Sequence, residues 1–170
     1  MTSAPDSDGS AVHAGAGRHL VDVHDHLRRE LDQVKELVAK VVAGARTPGL
    51  ARSDLNVMTM RQNNWTLGVY CQSYCRVVTG HHGLEDSSIF PHLRRSNPQL
   101  EPVIDRLQAE HRTIHDVLEG VDRALVTFVS EPDGSAVLES AVEALSDSLL
   151  THLAYEEQQL VGPLDRFGFY

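Results

Sequence analysis

Nothing in this 170-residue sequence is built to cross a membrane or to hold a polyanion. It contains no run of 18 or more apolar residues, the length a membrane-spanning helix needs. Basic patches are also missing: Lys and Arg total 15 against 24 Asp and Glu, giving a formal charge of -9 and a pI near 5.5. That balance argues against nucleic acid and anionic membranes as partners, since both select clustered positive charge. The opening MTSAPDSDGSAVHAGAG lacks the basic n-region and apolar h-region of a secretory signal, which points to a cytoplasmic setting. It is small, polar and Gly-rich, so residues 1–17, His13 included, are expected to form a mobile tail ahead of one domain spanning 18–170. Cysteine is scarce. Cys71 and Cys75 lie four apart, a spacing that strains an intrahelical disulfide, and are expected to be buried free thiols.

Strand patterning is absent too, because no stretch alternates with period two for long enough. What remains is helical periodicity. Leu20, Leu27, Leu31, Val34, Val38 and Val41 form one apolar stripe, ended by TPG at 47–49. A second helix, capped by Asp54, carries Leu67, Tyr70, Tyr74, Val77, His81 and Glu85 and ends near residue 95. Pro102 suits the first turn of a third, with Ile104, Leu107, His111, Ile114, Leu118, Val121, Leu125 and Phe128. After a turn at EPDG, 131–134, the fourth carries Val142, Leu145, Leu149, His152, Glu156 and Leu160 and is closed by Gly162 and Pro163. The expected fold is all-α, an antiparallel up-down-up-down four-helix bundle.

Ionisable groups sit on those apolar stripes. His24 lies one turn before Leu27, whereas His26 is rotated away by roughly 200 degrees. His81 and Glu85, His111 and His115, and His152 and Glu156 are i, i+4 pairs, each on one helix face. In an antiparallel bundle, the start of helices one and three and the end of helices two and four share one level, so all seven groups meet. Five inward histidines and two inward carboxylates are costly in an apolar core unless something binds them. Imidazoles with carboxylates suit first-row metals, and seven donors exceed a four-coordinate zinc centre but match two ions of five or six coordination sharing bridges.

Two familiar bundle and protease sites are excluded by spacing. No glutamate has a histidine three residues later, so the Glu-x-x-His motif of the ferritin-like proteins is missing, and HExxH is missing as well. The pattern instead resembles the hemerythrin family of HHE cation-binding domains over about residues 18–164. The matching residues are His24; His81, Glu85, Asp86, Ile89, Phe90 and Pro91; Glu110, His111 and His115; and His152, Glu156 and Glu157.

The resemblance implies two Fe ions, oxo- or hydroxo-bridged. It assigns His111, His115 and His152 to one iron and His24 and His81 to the other, with Glu85 and Glu156 bridging. One departure concerns the second bridge: oxygen carriers place an aspartate five residues after the last histidine, where this chain has Glu156 at four and Glu157 at five. Asp86 and Glu157 are expected beside the ligand set, His26, His82 and His92 at the surface or next to the ligands, and Tyr74 as a packed core aromatic. The implied function is binding or sensing of dioxygen, peroxide or nitric oxide. The alternatives are an enzyme consuming peroxide or nitric oxide on the same site, and a metal-binding structural bundle.

Overall fold

The computed structural model describes residues 15–45, 54–131 and 134–169. Four long helices carry the fold: α1 (Ala16–Ala45), α2 (Asp54–Leu84), α4 (Glu101–Ser130) and α5 (Ser135–Phe167). Between α2 and α4 the chain passes through a π-turn, Glu85–Ile89, a short α3 (Phe90–Ser96) and a 3₁₀ turn, Pro98–Leu100. No strand occurs among the described residues, and no helix there is long and apolar enough to cross a membrane.

Side-chain pairings set how the helices lie together. From α1 to α2, His24 meets His81, Leu27 meets Tyr74 and Gln33 meets Tyr70, so the two sequences run in opposite order along the contact. At the other flank, Gly17 of α1 meets Asp165 of α5 and His24 meets Glu157, again in opposite order. Gly17 permits this approach, because a Cβ there would fall 2.5 Å from the carbonyl oxygen of Val161.

Every residue of the expected stripes of α1, α4 and α5 is buried. That of α2 is not: Val77 is 48% exposed and Tyr70 half-buried, and the inward line is Leu67, Cys71, Tyr74, Val78, His82 and Glu85. Apolar residues occur on several faces of α2, so periodicity alone does not choose among them. The tertiary contacts do, with the Tyr74 hydroxyl donating to the carbonyl of Leu27 at 3.1 Å.

Two further boundaries move. Helix α5 does not stop at Gly162–Pro163 but runs on to Phe167, closing at Gly168 with φ of 74°. Proline forfeits one backbone donor, while the extra turn buries Leu164 and lets Asp165 accept from the backbone N–H of Gly15 at 3.2 Å and Gly17 at 2.9 Å. For the same reason residues 15–17 do not belong to a tail: Ala16 and Gly17 are already in α1 and packed on α5. Residues 1–14, the TPG break and the capping side chain of Asp54 lie outside the described residues, as do Pro132 and Asp133 of the EPDG turn, in which Gly134 N–H donates to Glu131 O at 3.1 Å. Pro102 does sit in the first turn of α4.

The apolar core falls into two parts. One holds Leu27, Leu31, Tyr74, Val78, Ile114, Leu118, Leu149 and Leu153, among others. The other holds Ala16, Leu20, Ile89, Phe90, Leu93, Ile104, Leu107, Leu160 and Leu164. Along each long helix the residue separating them is polar: His24 on α1, His82 and Glu85 on α2, His111 on α4, His152 and Glu156 on α5. A buried polar layer therefore cuts the core.

Candidate metal centre

The layer is assembled from one or two turns of each long helix. His24, Glu85, His152 and Glu156 are at most 1% exposed, His111 4% and His82 6%. On α2, His82 lies on the inward line and faces His111 of α4, while the adjacent His81 turns toward His24 of α1. The π-turn begins at Glu85 and inserts one residue into the helical count, which brings both Ile89 and Phe90 inward below the site. The Phe90 ring stacks on His111 with centroids 5.4 Å apart.

Donor atoms converge in two groups. In one, Nε2 of His24 lies 3.1 Å from Nε2 of His81 and 3.4 Å from Oε2 of Glu156, and His81 Nε2 lies 3.0 Å from Oε1 of Glu85. In the other, His111 Nε2 lies 3.2 Å from His152 Nε2 and 3.4 Å from Oε2 of Glu85, and His152 Nε2 lies 3.6 Å from Oε2 of Glu156. The sets whose ligand atoms fall within 4.8 Å of one another are His24, His81, Glu85 and Glu156, and His82, Glu85, His111 and His152. Glu85 belongs to both.

The two halves mirror each other. His81 at the end of α2, with Glu85 and Asp86 of the π-turn, has the same spacing as His152, Glu156 and Glu157 on α5. His24 Nδ1 donates to Glu157 at 2.9 Å, and His111 Nδ1 donates to Asp86 at 3.0 Å. His152 Nδ1 donates to Glu110 at 2.9 Å. A carboxylate acceptor on Nδ1 fixes the tautomer, leaving the Nε2 lone pair of all three histidines directed at the centre.

Electrostatics mark the same place. Burial raises the Glu85 carboxyl well above its ordinary value, and the nearby Glu156 charge raises it further. Burial also works against ionised Glu156, but the adjacent His24, with His152 and His81, brings it below the usual carboxylate value. Burial pushes His81 down to about 4, with help from His24, and it also lowers His82 and His111.

Four buried polar atoms of the layer have no hydrogen-bond partner: His82 Nε2, both oxygens of Glu85 and Oε2 of Glu156. Each such atom costs about 1–3 kcal/mol when left unpaired. A cation removes that cost, and the donor set fits one. Ligands about 2.1 Å from a metal are separated by ~3.0 Å at octahedral and ~3.4 Å at tetrahedral angles, which matches the spacings here.

Of the seven residues expected to ligate, the structure brings together His24, His81, Glu85, His111, His152 and Glu156. It does not bring in His115, whose side chain is 59% exposed and 3.4 Å from Glu119. On α4 the inward position after His111 is Ile114, so the i+4 histidine is carried past the core. His82, expected outside the ligands, lies inside the layer; its place on the line of Leu67, Tyr74 and Val78 was the available signal. Glu110, quoted in the motif without a role, orients His152. His26 is exposed, and His92 Nε2 donates to the carbonyl of Phe167 at 2.8 Å.

A family model, the hemerythrin HHE cation binding domain, matches residues 15–164. No curated protein and no solved structure matches the chain. With the match running through all four long helices and a buried histidine and carboxylate layer across them, the chain belongs to the hemerythrin HHE cation-binding family.

Proposed function

We propose that the layer holds two iron ions and that the protein binds or senses dioxygen or a related small oxidant, peroxide or nitric oxide, there. The observation that carries this reading is the disposition of Glu85, whose Oε1 faces His81 and whose Oε2 faces His111, as a carboxylate bridging two ions requires. Oε2 of Glu156 lies between His24 and His152 in the same manner. An iron pair supplies redox chemistry and affinity for small oxidants.

The chain's own residues set the conditions for that chemistry. Asp86, Glu110 and Glu157 hold three imidazoles in one tautomer. Phe90, Leu27 and Leu107 belong to the apolar parts of the core that flank the layer on either side. Among the described residues, cavities that reach the layer include one of about 440 Å³ beside His82, His111 and His115, one of about 400 Å³ beside His81, Glu85 and Phe169, and one of about 330 Å³ beside Glu110 and His152. Each is large enough to admit a small ligand. The opposite-order contacts of α1 with α2 and with α5 support an antiparallel up-down-up-down arrangement, and the two free thiols suit a reducing, cytoplasmic setting.

The test is the optical spectrum of the iron-loaded protein with dioxygen, peroxide and nitric oxide in turn. The proposal expects near-ultraviolet bands of a bridged iron pair that change with at least one ligand. Sustained consumption of peroxide or nitric oxide under a supplied reductant moves the assignment to an enzyme. A ligand-insensitive spectrum leaves a structural metal site.

A further inference from the structure

We propose that His82, rather than His115, supplies the third imidazole to the ion held by His111 and His152; this rests on the two-ion reading above. The tandem His81–His82 pair is then a divided pair, one imidazole for each ion.

Four independent observations converge on it. The Nε2 atom of His82 is buried without a hydrogen-bond partner, and a ring nitrogen of His82 lies within 4.8 Å of donor atoms on Glu85, His111 and His152. The ring is stacked on that of His111, centroids 4.0 Å apart and planes 10° apart, and stands edge-on to His152 at 5.1 Å. Parallel rings cannot both aim an in-plane lone pair at one ion, so His82 must turn out of this stack to ligate, and its buried Nε2 has no hydrogen-bond partner to hold it back. The mirrored halves add a third argument. Where α2 has His82 after His81, α5 has Leu153 after His152, and Leu153 is fully buried in the apolar core. The duplicated pattern accepts a hydrocarbon at that place, so the histidine on α2 is an addition that makes the site three histidines against two. His115 provides the fourth: it is directed to Glu119 at the mouth of the cavity that His82 and His111 line. To ligate, it would have to give up that contact and turn inward from an exposed position.

The experiment compares iron content per chain in the full-length protein with that of His82→Ala and His115→Ala, with helical content followed by circular dichroism. Expected are ~two irons in the parent and in His115→Ala, and ~one in His82→Ala. Imidazole added to His82→Ala should restore the second iron, since the adjoining cavity admits it. His82→Gln serves if the alanine variant does not fold, and the same loss is expected. Two irons retained in the folded His82 variant, or loss of iron in His115→Ala, overturns the proposal. A parent protein that holds no pair of irons instead overturns the two-ion reading, and this assignment falls with it.

Discussion

His24 of α1 and Glu157 of α5 are locked together by a 2.9 Å hydrogen bond from Nδ1 to Oε1, and Arg28 reaches the same oxygen at 2.8 Å. Glu157 thus faces His24 and not the centre, five residues after the last histidine. Its neighbour Glu156 provides the oxygen inside the layer. Glu157→Ala should therefore keep both ions but weaken affinity by ~10–100-fold, as loss of a partner behind a metal-binding imidazole does. Competition with a chelator of known affinity measures this. Complete loss of one ion would make Glu157 a ligand instead.

Asp86→Asn and Glu110→Gln should behave alike, because each carboxylate stands behind a different histidine of the second group. Weakening confined to that group's ion is the expected result in a two-step metal titration.

In the metal-free Glu85→Gln variant, which removes the raised carboxyl whose proton uptake acts in the opposite sense, stability should fall as pH drops below about 6.5. Burial lowers His81 to about 4 in the folded state, so between pH 6.5 and 4 the unfolded chain binds the proton that the folded chain refuses. The contribution is fully present above 6.5 and is lost as pH falls through 4. Burial lowers His82 as well and acts in the same direction. Denaturant titrations of the chelator-treated variant at pH 7.5, 6 and 5 check this; a midpoint that rises on acidification would contradict it.

Cys71 and Cys75 should be inert in the folded protein. Burial raises the Cys71 thiol to about 12 and moves Cys75 upward too, leaving almost no thiolate at pH 8. A thiol-specific chromogenic reagent should react slowly with native protein and fully in denaturant.

Much of the bundle could be read from the chain because α1, α4 and α5 each carry one apolar face. On those helices the inward lines, including His24, His111, His152 and Glu156, follow from spacing alone. Helix α2 carries apolar residues around much of its surface, and the π-turn that begins at Glu85 shifts the count beyond it by one. Its inward line was therefore set by contacts with α1 and α4, and with it the choice of Val78 and His82 over Val77 as inward residues. Similarly, Pro163 is a stop signal by local rules, and only the Asp165 contact with the start of α1 explains why α5 continues.

That contact yields another prediction. Gly17→Ala would place a Cβ 2.5 Å from the Val161 carbonyl, forcing α1 off α5. A loss of about 1–3 kcal/mol is expected, seen as a melting temperature lower by several degrees. Gly44→Ala, on the same helix with open space around it, should instead gain up to about 1 kcal/mol.

The most direct test of the account is the iron content of the purified full-length chain after expression in iron-replete medium, measured by elemental analysis against protein concentration. Two carboxylate-linked sets of donors sharing Glu85 predict about two irons per chain. A value well below one, in protein shown to be folded, would contradict it.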